Sequence, residues 1–264
     1  MVYIPNPIKE IIGNRKYEEN DVGMSESTVL MFPEYVLKIQ KQGADTDNEW
    51  EMVSKLKNKL PVPRIPAYIV ENGMAYTLMT RVKGKMLCDE EYLNAPERLL
   101  DQMARGLRML WSVDVKECPS KVSPLTERLK TARYRVEHNM VDMDNVEPDT
   151  FGPDGFRDAE ELLCWLEQNR PEEDIVLTHG DFCLPNLFAE GDEFSAFIDL
   201  GKMGPADRWQ DLAIAIRSLK DNAAGVFTHG HRYFDFEPGM LLDRLGIPMD
   251  EEKNRYYKLL DELF

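Results

Sequence analysis

THGDFCLPNLF, residues 178–188, sets a histidine, an aspartate and an asparagine on a short segment between two apolar runs. Upstream, DIVLT reads as a strand. Downstream, LFAE and FSAFID read as the two arms of a hairpin turning at Gly191 and Asp192. A hairpin folds the chain back so that its open ends are neighbours. Asn186, just before the first arm, is therefore expected beside Asp199 at the end of the second, with Asp181 a few residues upstream on the same loop. Taken singly, such residues usually cap local backbone groups. Together they form a set of hard oxygen donors that suits Mg²⁺ bridging substrate phosphates better than a calcium cage. Asp181 is then left to orient, or take a proton from, an attacking hydroxyl. That division of labour is phosphoryl transfer.

Phosphoryl transfer also needs a cation for the nucleotide phosphates. Lys38 is a lysine inside the otherwise apolar strand YVLKI, and Glu49 lies on the helix that follows. A strand lysine held by a helix glutamate is the arrangement protein kinases use on α- and β-phosphates. The loop before it, DVGMSEST, has one glycine and fails the kinase glycine-rich pattern. Ser25 and nearby amides can still reach phosphates, because backbone donors do not need three glycines.

Around these residues the chain divides by periodicity. Between residues 28 and 80, TVLMF with YVLKI and IPAYIV with AYTLM form two β-type pairs, with a helix predicted over 46–59 between them. Beyond them, Leu99, Met103, Leu107 and Trp111 recur at helical spacing, and similar stripes run through 158–168, 206–220 and 250–264. The expected class is α+β, with a small antiparallel sheet in an N-terminal lobe, residues 1–82, and a mainly helical C-terminal lobe, residues 83–264.

Charge separates the two parts further. Of the net −16, residues 1–88 carry +1 and residues 89–264 carry −17. An acidic surface repels phosphate backbones and attracts cations, which argues against nucleic acid and for a positively charged ligand; solubility alone is the other reading of the same excess. No apolar run is long enough to cross a bilayer, and the first residues lack a secretory signal, so no membrane and a cytoplasmic location are expected. The four cysteines form no CxxC pair.

These residues resemble the aminoglycoside 3'-phosphotransferases, kinase-like enzymes that inactivate antibiotics. DVGMSES, LKI with Glu49, KLPVP, THGDFCLPNLF, FIDLGKMGPADRWQDLAIAIRSL and LLDELF carry the resemblance over nearly the whole chain. It implies a protein-kinase-like two-lobed fold with ATP between the lobes, Lys38 and Ser25 on its phosphates, and Glu49 paired with Lys38. It also implies Asp181 as catalytic aspartate, Asn186 and Asp199 on Mg²⁺, Ile198 against the nucleotide, and a hinge from Met79 to Val82 facing the purine. For the aminoglycoside it implies Asp144, Glu147, Arg217, Asp261, Glu262 and the carboxylate of Phe264. Val36 stands where some members place an aromatic that stacks on adenine, which leaves ATP or GTP as the nucleotide. The expected activity is transfer of the γ-phosphate to the 3'-hydroxyl of an aminoglycoside, conferring resistance, by a monomer or weak dimer. The alternatives are a kinase of another cationic or hydroxylated small molecule, choline-like or macrolide, and a silent kinase-like binder, which the full set Lys38, Glu49, Asp181, Asn186 and Asp199 argues against.

Overall fold

The structure is a computed structural model that describes residues 2–20, 27–118, 124–143, 146–147, 149–153, 155–228 and 230–264. The chain forms two compact units, residues 1–89 with 185–203, and residues 90–184 with 204–264.

In the first unit, helix α1 (Asn6–Ile12) precedes strands β1 (Glu18–Asn20), β2 (Thr28–Met31) and β3 (Tyr35–Lys41); helix α2 (Ala44–Leu56) leads to β4 (Ala67–Glu71), β5 (Met74–Thr80) and the short β6 (Lys85–Met86). The sheet runs β1-β2-β3-β5-β4, antiparallel throughout, with β3 central. Side chains alternate across a strand, and Leu37 and Ile39 of β3 join Leu30, Tyr76 and Leu78 in a core sealed by Ile8 and Ile12 of α1. Lys38 lies between them in sequence and so points to the opposite face.

In the second unit, α3 (Glu90–Leu93) and α4 (Pro96–Trp111) are followed by α5 (Pro124–Glu137), α6 (Ala159–Gln168) and β7 (Ile175–Thr178). The chain then re-enters the first unit as the hairpin β8 (Leu187–Glu190) and β9 (Glu193–Phe197), and leaves it as β10 (Gly204–Asp207), α7 (Arg208–Ala224), α8 (Gly239–Leu245) and α9 (Glu251–Asp261). Helix α4 buries Leu99, Leu100, Met103, Leu107 and Leu110, each stabilising the unit by roughly 1.5–3 kcal/mol. β10 pairs antiparallel with β7, so residues 206 and 207, expected at the start of a helix, belong instead to the strand that runs up to the Asp207 cap of α7.

The expected single boundary at residues 82–83 differs from the observed division in two ways. The first stretch of the first unit runs on to residue 89, and the hairpin returns to it. β8 pairs with β6 through Met86 and Phe188, and the Phe197 N–H donates to the Pro61 carbonyl at 2.9 Å. Gly84 permits that approach, because a Cβ there would lie 2.1 Å from the Ala189 carbonyl oxygen. Pairing across that many residues is invisible to local periodicity. Among the described residues no helix is long and apolar enough to cross a membrane.

Candidate active site

In the first unit, the hairpin does what its open ends require. Leu187 pairs with Phe197, and the Ile198 N–H donates to the Asn186 carbonyl at 3.0 Å, which sets Asn186 beside the segment ending in Asp199. Asp199 sits in the left-handed region, φ 58°, which aspartate tolerates better than most residues. Its carboxylate accepts from Lys38 Nζ at 2.9 Å. Glu49 is 2% exposed, and its Oε1 accepts from the Leu200 N–H at 3.1 Å. Lys38, Glu49, Asn186, Ile198 and Asp199 are thus gathered in one unit.

One detail differs from expectation. The ion-pair partner of Lys38 is Asp199, while Glu49 acts on it through its field. Burial alone would lower the Lys38 ammonium; the charges of Glu49 and then Asp199 outweigh it and leave it raised. Burial raises the Glu49 carboxyl, opposed by Lys38. Met79 pairs with Val36 at the end of β5, Thr80 and Arg81 donate their N–H groups to Arg64 and Glu34, and Val82 follows, half-buried. Ser25 and Asp144 lie outside the described residues.

Asn186 and Asp199 supply an amide and a carboxylate oxygen, and the Asp199 side chain is 49% exposed. Among the described residues no group of three or more His, Cys, Asp or Glu gathers for a metal. The described residues therefore offer no protein cage. Two hard oxygen donors fit Mg²⁺, which keeps several waters and takes its remaining ligands from substrate phosphates.

In the second unit, β7 delivers His179, Gly180 and Asp181. Gly180 has φ 84°, where a side chain would be strained. The loop is held from α7: Asp211, fully buried, accepts the His179 N–H at 2.7 Å and the Gly180 N–H at 2.9 Å. His179 Nδ1 accepts from the Asp181 N–H at 3.3 Å, and Ser218 Oγ from the Leu184 N–H at 3.0 Å. Burial pushes the Asp211 carboxyl up to about 7, although those two backbone donors and Arg128 oppose it. Asp211 lies within the GPADRWQD stretch, yet it had no expected role. The available signal was a carboxylate on the apolar stripe of Trp209, Leu212 and Ala213, where only a fully partnered acid is tolerated.

The same unit gathers the other acids. Asp261 is ion-paired with Arg217, and Glu262 lies 3.5 Å from the same guanidinium while accepting the Glu147 N–H at 3.0 Å. Burial alone would weaken the Arg217 charge, but Asp261 outweighs it. The carbonyl of Phe264 accepts from Arg135 at 2.9 Å. Asp261 and Glu262, expected with Arg217 at the substrate site, are both met by that arginine.

Comparison with known proteins places the chain in a family. The profile of the phosphotransferase enzyme family matches residues 13–242. An aminoglycoside 3'-phosphotransferase of Enterococcus faecalis is 37% identical over 224 residues, 83% of this chain and 79% of the relative. One from Niallia circulans is 34% identical over 271 residues, covering 98% of this chain and 97% of the relative. Among solved structures, an aminoglycoside-3'-phosphotransferase of type VIII shares the fold with a TM-score of 0.78 at 24% identity, 97% of each chain being covered. A Streptomyces rimosus aminoglycoside phosphotransferase in complex with ADP and streptomycin superposes with a TM-score of 0.74 at 22% identity, over 97% of this chain and 95% of that one.

Proposed function

The chain belongs to the phosphotransferase enzyme family, and from that premise we propose that it transfers the γ-phosphate of ATP to the 3'-hydroxyl of an aminoglycoside, a reaction that confers resistance. The observation that carries the reading is the convergence of Lys38, Glu49, Asn186 and Asp199 from a strand, a helix and the two ends of one hairpin. No structural requirement of the sheet puts a lysine and two acids there. Phosphate oxygens do.

Lys38 binds and orients the phosphates, and Glu49 keeps it charged while it exchanges Asp199 for them. Asn186 and Asp199 hold Mg²⁺, which when bound neutralises charge on the phosphate oxygens. Ser25 adds a donor to the phosphates, and Met79, Val82 and Ile198 line the base. Asp181 accepts the hydrogen bond of the acceptor hydroxyl and takes its proton as the oxygen attacks the γ-phosphorus, whose bond to the β,γ-bridging oxygen breaks to release ADP. Asp211 and His179 fix the loop from which Asp181 works. The excess acid of residues 89–264, with Asp144, Glu147, Asp261 and Glu262 at its focus, attracts the polycationic drug. GTP is the alternative nucleotide, since Val36 brings no aromatic to stack on adenine.

A coupled ADP-release assay offered kanamycin, choline and a macrolide in parallel tests the reading. Turnover with kanamycin alone is expected. Turnover with choline or the macrolide instead would reassign the substrate, and none with any of them would make the chain a silent binder.

A further inference from the structure

We infer that Arg128 is a positioning residue for the drug-binding acids, acting through Asp261 and the ring of Phe264; the inference rests on the aminoglycoside reading. Arg128 rises from α5 among Leu125, Leu129 and Ala132, which are 3%, 2% and 0% exposed, and its own side chain is 18% exposed. Withdrawing a guanidinium from water is costly unless it is well paired, and the pairing here is incomplete. Nη2 lies 3.7 Å from Asp261 Oδ1, beyond hydrogen-bond length, and Nε is buried with no acceptor among the described residues. Burial lowers the charged form of Arg128, with Asp261 first among the groups that oppose it. A residue retained for stability alone is better served here by an apolar side chain.

What the guanidinium does achieve is geometric. Its Cζ lies over the Phe264 ring, 4.7 Å from the centroid, while Nη2 lies 3.7 Å from Asp261; lysine, a point charge, cannot do both. Arg135, two turns further along the same face of α5, lies over the same ring at 5.8 Å and donates to the carbonyls of Leu263 at 2.8 Å and Phe264 at 2.9 Å. From α7, Arg217 takes the other oxygen of Asp261. The carboxylate of Asp261 is therefore held between guanidinium groups from two helices, and its direction is set before any ammonium group arrives. Preorganisation of this kind raises affinity by removing the cost of ordering the site on binding.

The opposing effect has to be weighed. Removing Arg128 also deletes a positive charge near a site for a polycation, which by itself favours binding. If positioning dominates, affinity falls all the same. The experiment is calorimetric titration of kanamycin, and separately of a non-hydrolysable ATP analogue, into the full chain and its Arg128→Met, Arg128→Lys, Asp261→Asn and Arg128→Met/Asp261→Asn variants, with thermal midpoints recorded. Kanamycin affinity should fall about tenfold in Arg128→Met and by less in Arg128→Lys, with the nucleotide unaffected. In the Asp261→Asn background the Met substitution should add little, because it acts through that carboxylate. Unchanged or tighter kanamycin binding by Arg128→Met, or equal losses for drug and nucleotide, would overturn the assignment. If Arg128→Met does not fold, the Lys variant decides by the same comparison. Failure of the unaltered chain to bind kanamycin would refute the aminoglycoside reading itself, and the inference with it.

Discussion

Asp211→Asn separates the stability of this fold from its chemistry. Counting contacts suggests a large penalty, since the carboxylate accepts two backbone N–H groups at 2.7 and 2.9 Å and charge-assisted bonds contribute roughly 1.5–3 kcal/mol each. Yet the carboxyl is raised from 3.8 to about 7, burial being the largest cause, so desolvation outweighs those bonds. A group whose folded pKa lies above its unfolded value contributes stability that is fully present below the unfolded pKa and is lost as pH rises through the folded one. The window is therefore about pH 4 to pH 7. From about pH 5.5, above the sequence pI of about 4.8, the unfolded carboxyl is ionised while the folded one stays mostly protonated until it is half-ionised near pH 7. At 1.36 kcal/mol per unit, the native protein should lose about 2 kcal/mol over that interval relative to Asp211→Asn, which cannot ionise. Urea unfolding at both pH values measures the difference directly. The same variant places an amide N–H₂ against the donors of His179 or Gly180, so kcat should fall by about 10²-fold or more although stability near pH 8 is little changed. Parallel pH dependence in the two proteins, with normal kcat, would refute the reasoning.

Three further outcomes follow from the site. Asp181→Asn should lower kcat by about 10²–10⁴-fold with a modest change in the ATP KM, because it removes a group that acts on the reacting hydroxyl; steady-state kinetics checks both. Lys38→Met deletes the cation proposed for the phosphates, so the ATP KM should rise by about tenfold or more while kanamycin affinity holds, as calorimetry would show. Asp261→Asn should raise the aminoglycoside KM, leave the ATP KM near its normal value and flatten the salt dependence of drug binding.

Much of this site was legible because it is built from local geometry. The hairpin after THGDFCLPN could be read from two apolar arms and a Gly-Asp turn, and it brings Asn186 and Asp199 together without reference to the rest of the chain. Lys38 stood out because period two assigns it to the face opposite Leu37 and Ile39. What escaped reading depends on distant partners. Helix α1 has only Ile8 and Ile12 as its buried residues, too few for a periodic signal, although Pro7 in its first turn and Gly13 after its last marked its ends. β10 reads GPAD, with no β-propensity, and is a strand only because β7 lies beside it. α5 is polar on most faces, and Arg128 and Arg135 gain meaning only from Asp261 and the chain end at Leu263 and Phe264. Asp211 was hidden for the same reason: nothing in the sequence shows that its partners are the N–H groups of a loop thirty-odd residues upstream.

The central claim is transfer of phosphate to one particular hydroxyl, and product analysis tests it most directly. Purified protein with MgATP and kanamycin should release ADP in step with a phosphomonoester that phosphorus and proton NMR place at the 3' position, while tobramycin, which lacks that hydroxyl, should bind and be turned over poorly. Phosphorylation of tobramycin as efficient as that of kanamycin, or ADP release with no phosphorylated drug, would contradict the account.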